Sequence, residues 1–533
     1  MKISAEIIPY AQTKAFSSIV TDYVDGAESL QAFYQHAPNI EGIKNAILQR
    51  KQHPINRAAL VQTLQQQYSE LPLHEKVQAN VEKLLLENTF TITTAHQPNI
   101  FTGHLYFVYK ILHAIKLAET LHKELPEHHF VPVYYMGSED ADLEELGQVT
   151  IDGKKYQWET PQKGAVGRMV IDKPFVAMMQ AMEGQLSIAP FGNDMLNIVR
   201  NAYTIGKTIE QATLELVHRL FADFGLIIVL PDNADLKRLF IPVIEKELAE
   251  QFSHKAVKAT MVNFPEQYKV QTMGRELNLF YLKDDKRERI EYADEKFSVL
   301  NTDLVFDKAS LLAALHAHPE RFSPNVILRP VFQGTILPDI AFIGGGGELA
   351  YWLELKQVFE AASVPYPVLV LRNSFLMLDQ KIVANIAALG LQVTDFFKPL
   401  HLIQSQLVQQ ASNLQLELSK EKQQLQEVYT QMKAVAAKVD PTLAPHTEAL
   451  LIAASKKIDQ LEKKMIKAEK KKFEAKQRQA EKIKNSLFPN GSLQERVDNI
   501  LPYYATYGPQ LLHQLYEHSL TLEQQFCMLK EDV

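Results

Sequence analysis

One cysteine in 533 residues, Cys527, leaves nothing to pair with, so an internal disulfide and a cysteine-rich metal site are both excluded. It stands near the C-terminus, away from every motif below, and reads as an inert or surface thiol rather than a nucleophile. Basic excess is missing too. Lys and Arg number 56 against 63 Asp and Glu, and a net charge of −7 argues against general nucleic-acid affinity. No window is long and apolar enough to cross a bilayer. The opening stretch, Met1-Lys-Ile-Ser-Ala-Glu-Ile-Ile-Pro-Tyr10, has no apolar run of the secretory kind. A cytoplasmic location is expected.

What remains is an ordinary globular composition, 46% apolar and 22% charged. The chain is too long for one core, so roughly two to four structural units are expected. Residues 1–88 read as a helical region packing on the core. From 89 to 150 strands and helices alternate. Phe90–Thr94 and Phe130–Met136 are short apolar or β-branched runs of the buried parallel kind, separated by a helix over 105–122. Residues 151–325 read as insertions, with a hairpin from Val149 to Trp158 and a core strand near 226–230. The charged tract Lys283–Arg289 is taken as a solvated face. Alternation returns over 326–400, with the strand that ends at Gly344, a helix over 349–361 and the strand Tyr366–Leu371.

From 401 to 488 the pattern is that of a coiled-coil hairpin. Leu407, Ala411, Leu414, Leu418, Leu425, Val428, Met432 and Val435 follow steps of three and four, interrupted only by Glu421. Asp440–His446 reverses the direction, and Leu451, Ala454, Ile458, Leu461, Met465 and Ala468 resume the seam. The lysines of the second arm (Lys463, Lys464, Lys467, Lys470, Lys471 and Lys472) alternate with glutamates and read as a solvated face. Shorter helices are expected over 489–533. The fold class is α/β: a Rossmann-like parallel sheet split by connecting insertions, plus a C-terminal antiparallel helical coiled coil.

Thr94-Ala-His-Gln-Pro-Asn-Ile-Phe-Thr-Gly-His-Leu105 carries the strongest functional signal. A strand feeding a small-residue turn and then a helix directs backbone N–H groups and a positive dipole end at one point, which suits phosphate or carboxylate. The turn adds His96, Gln97, Asn99, Thr102, Gly103 and His104. Phe101-Thr-Gly-His104 resembles the H-I-G-H element of nucleotidylyl transferases and class I aminoacyl-tRNA synthetases, with Phe101 in place of the first histidine. No K-M-S-K-S loop follows, and the acidic chain shows no anticodon-binding module, which weakens a tRNA-charging reading.

Glu139, Asp140 and Asp142 follow a core strand, where open α/β sheets bind ligands. They could hold an ammonium group, a metal or a sugar; a solvated loop is the plainer reading. Gly344, Gly345, Gly346 and Gly347 admit close ligand approach but lack the lysine ending of a P-loop and the dinucleotide spacing. Glu348 and Tyr351 follow them in the first helical turn. Arg329, Gln333 and Arg372 complete a second half-site, arginine being suited to carboxylate or phosphate. No metal ligands are assigned, and whether a metal takes part is left open.

Taken together, His96–Gly103, Met136-Gly-Ser-Glu-Asp-Ala-Asp142, Leu328–Gln333, Gly344–Trp352 and Asn490-Gly-Ser-Leu-Gln-Glu-Arg-Val497 resemble the BshC family, the cysteine ligases of bacillithiol biosynthesis, over nearly the whole chain. The resemblance implies a Rossmann core with connecting-peptide insertions, a coiled coil, homodimerisation and amide formation between cysteine and glucosaminyl-malate. The family pattern has Gly-Gln-Gln where this chain has Ala95-His96-Gln97, and His where it has Ala141. If those family residues move protons, that work falls elsewhere here, and His96 is the candidate.

The leading expectation is an amide-forming ligase with ATP activating the carboxylate. His96, His104 and Asp140 are its catalytic candidates, with Gly103, His104 and the helix N-terminus on phosphate. Asp140 or Asp142 would hold an amine, and Arg329 or Arg372 the malyl carboxylates. A non-catalytic nucleotide-binding or scaffold protein acting through the coiled coil is the alternative.

Overall fold

The computed structural model describes residues 3–72, 74–411 and 417–532. Two compact units make up the chain: residues up to Leu376 with Ser492–Asp532, and Met377–Gly491.

The first unit is built on a five-stranded sheet. Its strands are β1 (Thr89–His96), β2 (His129–Met136), β3 (Ile227–Val229), β4 (Asp339–Gly344) and β5 (Val368–Leu371). Every neighbouring pair is parallel. The order across the sheet is β5-β4-β1-β2-β3. The chain thus moves outward from β1 through β2 to β3, then returns to the other side of β1 with β4. That reversal between β1 and β4 is where a doubly wound sheet opens a crevice at its C-terminal edge.

Burial on both faces explains the strand composition. All of β2 after His129 is buried, as are β3, β4 and β5. The buried threonines of β1 satisfy their hydroxyls locally: Thr94 donates to the Ile343 carbonyl at 2.9 Å, tying β1 to β4. On one face Ala114, Leu117, Ala118 and Leu121 of the helix Leu105–Glu124 pack with Ile43, Ala46 and Ile47 of the helix Ile40–Lys51 over Phe90, Ile92, Ile343 and Val370. The Rossmann-like sheet interrupted by insertions is as the sequence predicts.

Several local expectations are corrected. Ile3–Ile8 is a strand rather than part of a helical region, and it pairs antiparallel with Phe526–Glu531, where only helices were expected. Cys527 sits in that pair and is 1% exposed, so it is no surface thiol. Burial pushes it up to about 12, which keeps it protonated and inert. The single helix over 349–361 is two, Gly346–Trp352 and Lys356–Ala362. The tract Lys283–Arg289 belongs to a five-stranded antiparallel sheet that includes Leu279–Lys283, Lys286–Ala293 and Phe322–Pro324. The hairpin near Val149 forms as expected, from Gln148–Ile151 and Lys154–Gln157.

The second unit begins at Met377, ahead of residue 401, because the helix Gln380–Ala388 packs with Glu474–Leu487 inside it. Its long helices, Ser419–Val439 and Leu443–Lys470, run antiparallel: Lys422 reaches Glu462 at 2.8 Å and Lys433 reaches Glu448 at 2.6 Å. The second arm keeps its seam at Leu451, Ala454, Ile458 and Met465, with Leu461 and Ala468 exposed. The first arm does not. Leu407 is buried, and Leu418 and Leu425 are half-buried, but Val428, Met432 and Val435 lie in the open. Leu400–Ala411 and Ser419–Val439 are separate helices, so a period carried across the break loses its phase. Leu414 lies outside the described residues, as do the side chains of Ala411, Lys470 and Lys471. Lys463, Lys464, Lys467 and Lys472 are exposed, as a solvated face requires. Among the described residues no helix is long and apolar enough to cross a membrane.

Candidate active site

A cavity of about 580 Å³ opens at the C-terminal ends of β1, β2 and β4. Ala95, His96 and Gln97 from β1 and its turn, Glu139 and Asp140 after β2, Gly345, Gly346, Gly347, Glu348 and Tyr351 after β4, and Arg329 and Arg372 all line it. The two half-sites therefore converge. Lys110 binds them together. Buried in the helix Leu105–Glu124, it donates to the Ala95 carbonyl at 2.6 Å and pairs with Glu348 at 2.5 Å. Burial draws its pKa below the ordinary value, against the pull of Glu348. Glu348 also accepts from the Gly345 amide at 2.8 Å, so it caps its own helix.

His96 is held between Tyr106 and Phe107, with ring centroids 5.4 Å from each. Its Nε2 is buried and has no hydrogen-bond partner. Burial, and then the charges of Lys110, His104 and Arg372, hold its pKa well below the ordinary histidine value. A neutral imidazole with a free ring nitrogen beside a cavity is equipped to accept a proton.

Arginines dominate the walls. Arg329 donates to Gln333 Oε1 at 3.1 Å and to the Tyr351 hydroxyl at 3.2 Å, and stands over the Tyr135 ring. Gln333 in turn donates to Asp339 at 2.7 Å, and burial pushes that carboxyl up to about 6. Arg372 is consumed differently: it pairs with buried Glu495 at 2.7 Å and donates to the Asn373 carbonyl and Ser374 Oγ. Two further arginines line the cavity, Arg287 and Arg496. Among the described residues Arg287, Arg329 and Arg496 make no direct ion pair with a carboxylate, so three guanidinium groups face the cavity unpaired.

Other expected site residues fall away from it. Gln333 is fully buried and acts on Arg329 from behind. Gly344 ends β4, where its carbonyl takes the Arg372 amide at 2.8 Å. Asp142 caps the short helix Leu143–Leu146, accepting from the Glu145 amide at 3.0 Å. Glu139 lines the cavity but is committed to Lys237, which also holds Asp232 at 3.0 Å; Arg168 grips Asp232 with two bonds. Asn99, Thr102, Gly103 and His104 do not line the cavity. Phe101, Thr102 and Gly103 all take positive φ, a turn tight enough that a Cβ on Gly103 would meet Asn99 at 2.8 Å.

The expected phosphate cradle is closed by the chain itself. The Leu105 amide, first in its helix, donates to the Asp498 carbonyl at 2.8 Å. Asn499 Nδ2 donates to the carbonyls of Gly103 and, at 2.8 Å, Phe101. Asn499→Ala strands both buried carbonyls, and we expect a loss of about 2–3 kcal/mol in urea unfolding. A change under about 0.5 kcal/mol would mean that this clasp is dispensable.

Sequence reasoning missed Lys110, Arg287, Glu495 and Arg496. Lys110 had a signal, as a lone lysine inside the apolar face that carries Ile111 and Leu112. Glu495 and Arg496 lie within a segment that carried the family resemblance. Arg287 had none, because a charged strand looks the same whether it faces water or a cavity.

The family described as "Bacillithiol biosynthesis BshC, N-terminal Rossmann-like domain" matches residues 3–373, and "Bacillithiol biosynthesis BshC, C-terminal coiled-coil domain" matches 375–531. The chain belongs to the BshC family. Proteins named "Putative cysteine ligase BshC" from Flavobacterium johnsoniae and Christiangramia forsetii are each 37% identical to it. The first alignment covers 98% of this chain and 99% of the relative, the second 98% of both. One from Flavobacterium psychrophilum is 36% identical, over 98% of this chain and 99% of its own. The family is that of bacillithiol biosynthesis.

Proposed function

We propose that this protein is a carbon–nitrogen ligase that joins the carboxyl of cysteine to the amine of glucosaminyl-malate, giving bacillithiol. One observation carries the reading: a neutral His96 and Arg329 and Arg496, neither in a direct ion pair, share one cavity at the switch point of the sheet. Guanidinium groups without carboxylate partners suit the malyl dianion. Arg372, which the sequence also offered for this task, is already neutralised by Glu495, so Arg329 and Arg496 are the better pair. His96 Nε2 would take the proton that the attacking amine must shed as the amide bond forms.

A free carboxylate is a poor electrophile, and ATP is the proposed source of a leaving group on it. The expected seat for its phosphates at Gly103 and His104 does not fit, because Asp498 and Asn499 fill it. The roles given to residues above therefore do not pass through ATP. Homodimerisation through the coiled coil and residence in the cytoplasm belong to the same proposal. The exposed Val428, Met432 and Val435 on that hairpin support a partner there. Incubation with ATP, cysteine and glucosaminyl-malate, read by mass spectrometry, should yield bacillithiol. If folded protein forms no product, the alternative of a non-catalytic scaffold stands in its place.

A further inference from the structure

The charges around the cavity can be matched one by one. Glu139 belongs to Lys237, Glu348 to Lys110, and Arg372 to Glu495. Setting aside Arg329 and Arg496, three charges remain without an ion pair: Arg287, Asp140 and Glu145, the last on the short helix that Asp142 caps. Arg287 comes from the insertion sheet, and Asp140 from the end of β2.

Arg287 is fixed in place. Its guanidinium centre lies 4.0 Å from the Phe280 ring centroid, and Nε donates to Ser323 Oγ at 3.1 Å. It makes no ion pair, although Glu139, Asp140 and Asp232 are near enough to support its charge against burial. Asp140 is fixed as well, but only by neutral donors: Gln97 Nε2 reaches Oδ2 at 3.2 Å, and the Ala141 amide reaches Oδ1 at 2.8 Å. A fixed cation and a fixed anion lining one cavity, neither held in a direct ion pair, are complementary to a ligand that carries both signs on adjacent atoms. We propose that Arg287 and Asp140 form a seat for an α-amino acid zwitterion, the guanidinium taking the carboxylate and Asp140 the ammonium.

This seat deepens the ligase reading and rests on it for the choice of cysteine as the amino acid. It divides the cavity by charge. The zwitterion lies against the insertion sheet, and Arg329 and Arg496 are left for a dianion. The insertion sheet then supplies a binding residue, where the sequence alone offered a solvated surface.

Calorimetric titration of the full-length protein with L-cysteine, cysteamine and 3-mercaptopropionate tests the charge pattern. Wild-type protein should bind cysteine at least about tenfold more tightly than either analogue, each of which lacks one charge. Arg287→Gln should weaken cysteine by at least about tenfold and leave cysteamine unchanged. Asp140→Asn should weaken cysteine likewise and leave 3-mercaptopropionate unchanged. Arg287→Lys should recover part of the lost affinity. Malate titration and the melting temperature report whether each variant is folded. Undetectable cysteine binding to the wild type, undiminished cysteine binding in Arg287→Gln, or an equal loss of all three ligands in either variant overturns the seat. The two ideas fail separately. The charge pattern without product from the wild type would sink the ligase and keep the seat, whereas product without the pattern would do the reverse.

Discussion

Glu495→Ala is expected to lower the unfolding free energy by about 3–5 kcal/mol, the range for stripping one partner from a buried ion pair. Glu495 is 0% exposed and Arg372 3%. The carboxylate accepts from Arg372 Nη2 at 2.7 Å and from Ser374 Oγ at 3.1 Å. Without it the guanidinium stays buried with only a carbonyl and a hydroxyl, in a place water cannot reach cheaply. The pair is 123 residues apart in sequence and joins the end of β5 to the chain that returns from the second unit. Urea unfolding measures the loss. The double variant Arg372→Met with Glu495→Met should recover much of it, since two apolar side chains leave no unpaired charge. A loss below about 1 kcal/mol in Glu495→Ala would place the pair with hydrated surface bridges instead.

The same pair shows where sequence reading stops. Strands β1, β2 and β4 are legible because burial on both faces leaves unbroken apolar or β-branched runs, and their ligand-facing ends follow from the sheet rule. His96, Gln97 and Asp140 were found that way, and Glu348 and Arg329 by their nearness to the glycine turn after β4. Asn99, Thr102, Gly103 and His104 were grouped with them by adjacency, but three successive positive φ values turn the chain away from the cavity. Only a long-range contact, Asn499 on that turn, could have revealed this. Gln333 was placed one layer too far forward: on its helix it sits one turn after Arg329 and faces inward to Asp339. The coiled-coil seam failed on the first arm for the opposite reason, since a purely local period has no means of registering a helix break.

The largest effect on activity is expected at His96. Its replacement by Gln keeps a polar side chain of similar reach but removes a base, and product formation should fall by about 10²–10⁴-fold. Cysteine affinity should hold within about twofold, because the proposed seat lies on Arg287 and Asp140 and an unperturbed contact changes little. The pH profile gives a second readout with a defined sign. Burial, and then the neighbouring Lys110, His104 and Arg372, lower the pKa of His96 well below the ordinary 6.5, so the reactive neutral form persists as the pH falls through that value. The acid limb of the rate should therefore lie below the range of a free histidine. The same shift has a structural cost. The unfolded chain takes up a proton near pH 6.5 while the folded imidazole does not, so His96 disfavours the folded state increasingly as the pH drops below 6.5. His96→Gln should remove that part of the acid sensitivity. A variant that keeps activity within about threefold would show that no base of this strength is needed at that position.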